Sequence, residues 1–245
     1  MTNKPIYIEI TNAYVEGIDT TKRANGFKHF VLNGGELISS SIPILHDINF
    51  SCTGGEKIAF IGGNGSGKSS LLKVIAGIYP LKSGTIKVHG ELAAIIEMGI
   101  GFEYGMTGRD NIKISMIYNN MLSRYNKKLE EEIIEFSELK EKIDLPIKTY
   151  SSGMLSRLAF ATSIFQNPDI LLLDEVFAAG DQHFINKSLN VMQDKFKTIP
   201  ISILVSHQED IVKANCNRCL LLKDGRIIAD AHPNEVFEIY KTESL

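Results

Sequence analysis

From Ile58 to Ser70 the chain reads Ile-Ala-Phe-Ile-Gly-Gly-Asn-Gly-Ser-Gly-Lys-Ser-Ser, an apolar strand running into a G-x-x-x-x-G-K-S loop over Gly62–Ser69. That spacing suits a polyphosphate. Gly62, Gly65 and Gly67 can take positive φ, so the backbone N–H groups of the loop, with Asn64 and Ser66 between them, can surround an anion. Lys68 adds a mobile positive charge for the β- and γ-phosphates, and the Ser69 hydroxyl is suited to Mg²⁺. Ser70 and the Leu71-Leu72-Lys73-Val74-Ile75-Ala76 pattern that follows are helical, so the loop ends at a helix N-terminus whose dipole also favours phosphate.

A second constellation is Asp169-Ile170-Leu171-Leu172-Leu173-Asp174-Glu175. Four apolar residues make a buried strand, and two adjacent carboxylates stand at its C-terminal end, the edge where an open α/β sheet binds its ligand. Neighbouring residues at a strand end point differently. Asp174 can therefore hold the Mg²⁺ hydration shell while Glu175 accepts a proton from the water that attacks the γ-phosphate.

These groups need a scaffold. Short apolar runs bounded by Gly, Pro, Asn or Asp predict strands at Ile6–Ile10, Lys57–Ile61, Thr85–Val88, Ala93–Ile96, Ile170–Leu173, Ile201–Val205 and Cys219–Leu222. Three-to-four spacing predicts helices at Lys68–Ala76, Leu129–Glu138, Met154–Phe165, His183–Phe196 and Asn234–Lys241. Alternating strands and helices imply an α/β fold with a largely parallel sheet covered on both faces. Strand signals are missing from about 99 to 167, so that stretch is expected to be an inserted helical subdomain. The chain is then one domain over 1–245, its sheet core from about 1–98 and 168–245, with an antiparallel part near the N-terminus.

Composition narrows the classes. With 245 residues, 44% of them hydrophobic, the chain can bury a large core, and a net charge of -3 gives no electrostatic reason to bind nucleic acid. Its N-terminus has no signal-peptide core and no run approaches 18 apolar residues, so neither secretion nor membrane spanning is expected. Of three cysteines, Cys216 and Cys219 form a C-x-x-C, but no second pair completes a zinc site. Burial at a strand entrance explains them better. A guanine-specific reading fails because no Asn-Lys-x-Asp motif occurs.

Between the two sites lies Tyr150-Ser151-Ser152-Gly153-Met154, 83 residues after Lys68 and 23 before Asp174 when counted at Ser151. This motif resembles the signature of ABC ATPases, usually Leu-Ser-Gly-Gly-Gln: Ser151 and Gly153 match, and Tyr150, Ser152 and Met154 depart. Ser151 is also a good N-cap for a helix with Leu155, Leu158, Ala159, Thr162 and Phe165 along one stripe. The resemblance implies a P-loop NTPase fold of ABC type and ATP with Mg²⁺ as ligands. It also implies a head-to-tail homodimer in which Ser151 and Gly153 contact the ATP held by the second copy. His207, ending the apolar run Ile203-Leu204-Val205-Ser206, resembles the family's switch histidine. Asp181, in Ala178-Ala179-Gly180-Asp181, matches the loop that crosses the dimer. Tyr14 sits where the family has an aromatic that stacks on adenine.

At Ile95-Ile96-Glu97-Met98-Gly99 the family's usual glutamine is missing, and Glu97 or Met98 takes its place. The run Gly99–Ile112 and the Tyr-Ser-Ser-Gly-Met motif are similar to the subfamily that exports lipid-linked polysaccharides such as O antigen, capsule and teichoic acid. An extra segment from Glu16 to Ser41 is a second mark of it. There Lys22, Arg23, Lys28 and His29 adjoin Phe27, Phe30, Val31 and Leu32, a pattern that suits a membrane surface, a partner's channel entrance or simply solvent. The implied activity is ATP hydrolysis that drives O-antigen export through a separate integral membrane subunit. The chain would lie peripherally on the cytoplasmic face of the inner membrane and touch the bilayer mainly through that partner. An ABC ATPase of another transporter class, or a soluble non-transport one, is the alternative. Some relatives append a carbohydrate-binding domain, but here the chain stops at Leu245, so substrate choice is expected to rest with the membrane subunit.

Overall fold

The computed structural model describes residues 5–18, 41–96, 101–174 and 182–243. Two sheets form. Strands β1 (Tyr7–Ile18), β2 (Ser41–Thr53) and β4 (Ser83–His89) make an antiparallel sheet in the order β2-β1-β4. The second sheet runs β5-β6-β7-β3-β8-β9, from β3 (Lys57–Ile61), β5 (Leu92–Ile95), β6 (Ile170–Leu173), β7 (Ile201–Val205), β8 (Arg218–Lys223) and β9 (Arg226–Ala231). All of its pairings are parallel except β8 with the edge strand β9.

Apart from the edge strand β9, the larger sheet is covered on both faces, which is why its inner strands read as continuous apolar runs. Alternate residues divide between two cores. Ile58, Phe60, Ile170, Leu172, Ile203, Val205, Leu220 and Leu222 pack toward the antiparallel sheet and helix α1 (Lys68–Ile75). Ala59, Ile61, Leu171, Leu173, Leu204, Cys219 and Leu221 pack toward the helices on the other side. Those are α2 (Gly108–Tyr118), α3 (Lys127–Ser137), α4 (Ser152–Phe165), α5 (Gln182–Thr198), α6 (Glu209–Asn215) and α7 (Pro233–Glu243).

Helices α2, α3 and α4, with three short 3₁₀ turns, fill the stretch expected to be helical. Their starts are fixed by side-chain caps, each worth about 1 kcal/mol. Thr107 and Asp110 form a reciprocal capping box on α2, the Asn126 side chain accepts from the Leu129 N–H at 3.0 Å, and Ser151 accepts from the Met154 N–H at 3.3 Å. Phe136 of α3 then meets Phe160 and Phe165 of α4 and Phe184 of α5 with ring centroids 5.1 to 6.1 Å apart.

Four elements lie beyond the sequence expectation. β1 continues from Ile10 to Ile18 and pairs with β2, so the ends of the extra segment are antiparallel ladder, with Glu16 opposite Pro43 and Ile18 opposite Ser41. The residues from 19 to 40, and with them the cationic and aromatic cluster, lie outside the described residues. β9, α2 and α6 are the others. Among the described residues, no helix is long and apolar enough to cross a membrane. All three cysteines are free and buried. Desolvation pushes the Cys52, Cys216 and Cys219 thiols up to about 12, which keeps them protonated and unsuited to metal or redox chemistry.

Candidate functional site

Three parallel strands end side by side. Phe60 of β3 pairs with Val205 of β7, and Leu204 of β7 with Leu173 of β6. The residues that follow these ends are Gly62, Ser206-His207 and Asp174, so distant stretches of sequence meet at one carboxyl edge.

The loop after β3 has the backbone its glycines were expected to allow. Gly62, Gly65 and Gly67 take φ of +142°, +78° and +103°. Two of these positions also exclude a side chain. A Cβ on Gly62 would lie 2.2 Å from the Leu222 carbonyl oxygen and 2.8 Å from Ser66 Oγ, and one on Gly67 would lie 2.8 Å from Leu45 Cδ2. Gly67 is the N-cap of α1, and its carbonyl accepts from the Leu71 N–H at 2.8 Å. The loop therefore sits on a helix N-terminus.

Lys68 folds back over this loop, its Nζ donating to the carbonyls of Gly62 and Gly63 at 2.9 Å each. Both acceptors are neutral. Phosphate oxygens carry charge and form hydrogen bonds roughly twice as strong, so a bound triphosphate competes well for the ammonium. Ser69 and Ser70 are half-buried in the first turn of α1, and Asn64 is exposed in the loop. Ser66 Oγ is buried and has no hydrogen-bond partner among the described residues. Behind the loop a cavity of about 220 Å³ is lined by Gly63, Asn64, Gly65 and Ser66 on one side and Asp224 and Tyr240 on the other.

Asp174 is half-buried at the end of β6, its N–H donating to the Ile95 carbonyl at 3.0 Å. With Ser69 it offers hard oxygen donors, the type Mg²⁺ takes alongside phosphate oxygens and water. Among the described residues no group of three or more His, Cys, Asp or Glu gathers around one point. His207 is exposed just beyond β7, on a turn held by Ser206, whose N–H donates to the Phe60 carbonyl at 3.4 Å and whose Oγ accepts from the Gln208 N–H at 3.1 Å.

Ser151 and Gly153 are placed elsewhere, at the start of α4 on the helical lobe. Ser151 is exposed, and among the described residues a Cβ on Gly153 would meet Ser151 Oγ, at 3.9 Å. This end of the helix is open to an incoming group. Tyr150, a departure from the usual motif, anchors the turn: its hydroxyl donates to the Lys142 carbonyl at 2.7 Å, and Gly108 is where it fits, because a Cβ there would lie 2.3 Å from that oxygen.

Tyr14 is half-buried in β1, its ring 5.4 Å from that of His46 at 74°. His46 carried no role in the sequence. It belongs to β2, whose Ile44 carbonyl and Leu45 side chain lie against Gly67 and whose His46 N–H donates to the Gly225 carbonyl at 2.8 Å. The Tyr14–His46 pair therefore stands on strands beside the phosphate loop. No sequence motif marks His46, because only the β1–β2 register brings it to Tyr14. Glu175, Asp181, Glu97 and Met98 lie outside the described residues.

A parallel sheet with a glycine-built phosphate loop after one strand and an acidic residue at the end of another defines a P-loop nucleotide hydrolase. Residues 45–178 match the ABC transporter family, and the chain belongs to it. It is similar to the O-antigen export ATP-binding protein RfbB of Myxococcus xanthus, 41% identical over 83% of this chain and 46% of that protein. Klebsiella pneumoniae RfbB is 38% identical over 80% of each chain. The teichoic acids export ATP-binding protein TagH of Enterococcus faecalis is 40% identical over 80% of this chain and 44% of that protein. The chain thus spans less than half the length of the Myxococcus and Enterococcus relatives. A solved ATP-binding subunit of an ABC transporter shares the fold, with a TM-score of 0.72 at 18% identity over 96% of this chain and 93% of that one.

Proposed function

We propose that this chain is the ATPase subunit of an exporter that moves a lipid-linked polysaccharide, O antigen in the first instance, across the cytoplasmic membrane through a separate integral membrane subunit. The observation that carries the reading is the 38% identity to Klebsiella pneumoniae RfbB over four fifths of both chains. The Gly99–Ile112 and Tyr150–Met154 patterns support it independently.

The whole chain acts as one ATP-binding unit, with residues from about 99 to 167 as its helical subdomain. ATP lies on the N–H groups of Gly62–Ser69 with Lys68 against its β- and γ-phosphates, and Tyr14 against the adenine. Stacking of that kind is worth about 1 to 3 kcal/mol and is tolerant of the base. Ser69 and Asp174 hold Mg²⁺, which neutralises charge on the phosphates when bound. Ser151 and Gly153 of a second copy close on the γ-phosphate through an open helix N-terminus. Asp181 lies in the contact between copies, Glu175 takes a proton from the attacking water, and His207 donates to the γ-phosphate. Hydrolysis then separates the copies.

The membrane subunit docks on the helical lobe, where Tyr104, Met106, Ile117, Tyr118, Leu122 and Leu145 are exposed. Six of the ten large hydrophobic side chains exposed among the described residues fall in this lobe, which supports the docking. The chain is then held peripherally at the inner face of the membrane.

Identity to TagH supports teichoic acid as a second cargo. Co-purification from native membranes, with analysis of the bound glycan, tests the assignment. An integral membrane subunit carrying a lipid-linked O antigen is expected; a teichoic acid in its place favours the second cargo, and a partner without any lipid-linked glycan overturns both.

A further inference from the structure

Glu138 stands where three helices meet. It directly follows α3 in a left-handed backbone conformation, φ 58°. One carboxylate oxygen, Oε1, accepts from Lys187 Nζ of α5 at 2.8 Å; the other, Oε2, accepts from Arg157 Nη1 of α4 at 2.9 Å. His183 Nδ1 of α5 lies 3.9 Å from Oε1. The two cations are themselves held in place. Lys187 also donates to the Phe136 carbonyl at 3.0 Å and lies 4.6 Å from the Phe136 ring centroid, while the Arg157 guanidinium lies 5.1 Å from that of Phe184.

The Arg157, Glu138 and Lys187 side chains are only 20%, 29% and 33% exposed, so screening by water is reduced. The Lys187 hydrogen bond, helped by the charges of Lys187, Arg157 and His183 and opposed by desolvation, holds the Glu138 carboxyl below the usual range. Phe136, Phe160 and Phe184 already pack these helices against one another. Rings can slide, whereas a carboxylate bonded to one cation from each neighbouring helix fixes the rotation of α5 against α4.

Those two helices matter to the reaction. Ser151 caps the start of α4, and α5 begins one residue beyond Asp181, in the stretch that follows β6 and Asp174. We propose that Glu138 is a positioning residue that makes α4 and α5 move as one body. Closure of the Ser151 end on the nucleotide of the second copy then carries α5 with it. This inference rests on the shared-site reading above.

Glu138→Gln keeps the shape and removes the charge. ATP hydrolysis by the intact dimer is expected to lose about tenfold or more in kcat. Equilibrium binding of Mg-ATP should stay within about twofold, because the loop 62–69 is untouched, and the melting temperature within about 4 °C. A merely structural ion pair would move stability and affinity with kcat. Lys187→Met should repeat the kcat loss with affinity kept, and Lys187→Arg should recover most of it; this pair decides the matter if Glu138→Gln does not fold. Unchanged kcat in Glu138→Gln and Lys187→Met, or equal losses in Lys187→Met and Lys187→Arg, overturns the proposal. Failure of the shared-site reading itself shows separately, as normal turnover in Ser151→Ala.

Discussion

Glu175→Gln is expected to bind ATP as tightly as the parent protein and to lose about 10²- to 10⁴-fold in turnover, the range for removal of a general base. Glu175 follows Asp174, which the structure places at the carboxyl edge of the sheet at the end of β6, with β7 between it and β3, the strand that leads into the phosphate loop. Binding belongs to other groups: the loop amides, Lys68 and the N-terminus of α1. Glutamine keeps the size of the side chain and removes only its charge and basicity, so the nucleotide still brings two copies together but they no longer separate by hydrolysis. Size-exclusion chromatography with Mg-ATP should show a stable dimer that dissolves with ADP. Normal turnover would contradict the role given to Glu175, and loss of ATP binding would move it from the chemical step to ground-state binding.

The second large effect is Lys68→Ala. Its ammonium already spans two carbonyls of the loop at 2.9 Å, and a triphosphate offers it charged acceptors in the same place. Charge-assisted hydrogen bonds are worth about 1.5 to 3 kcal/mol, so ATP affinity should fall about 10- to 100-fold. Turnover should fall further, because charge on the γ-phosphate oxygens develops most in the transition state. The melting temperature should move little, since the two carbonyls lose one donor but remain at a loop that water can reach. Lys68→Arg is not a rescue: a planar guanidinium is broader than an ammonium and does not fit a loop closed around a compact point charge. Isothermal titration with ATP reads the affinity directly, and a value within twofold of the parent would contradict the role.

Much of this was legible in residue types. The runs Lys57–Ile61, Ile170–Leu173 and Ile201–Val205 become β3, β6 and β7 with the expected limits, because strands buried on both faces leave no polar interruptions. The phosphate loop was legible for a related reason, in that positive φ at Gly62 and Gly67 combined with close neighbours leaves glycine as the residue that fits. Elements with one wet face were harder to see. In β2 the alternation of Leu45, Ile48, Phe50 and Cys52 changes phase at Asp47, whose φ is +50°, and β9 is an edge strand that alternates exposed and half-buried residues. Helix α2 has a weak apolar stripe, but Thr107 and Asp110 spell its capping box and were a usable signal.

Cross-strand and cross-helix partners were out of reach of any motif. His46 meets Tyr14 through the register of β1 with β2, and Glu138 meets Lys187 across 49 residues of chain. Such pairings are set by packing rather than by local spacing. The signature motif lies between these cases: Ser151 was legible as a cap, and the structure bears that out, its side chain accepting from the Met154 N–H at 3.3 Å.

Sharing of the reaction centre between copies is tested most directly by mixing two silent variants. Lys68→Ala disables the loop, and Ser151→Phe fills the open end of α4; neither homodimer should turn over ATP. In a mixed dimer one site receives both defects and the other neither. Equal amounts of the two proteins, exchanged and assayed together, should therefore recover about a quarter of wild-type ATPase activity, since half the dimers are mixed and each has one intact site of two. If the mixture stays as silent as its components, while each variant is folded and wild-type dimers survive the same exchange, the two-copy site is wrong.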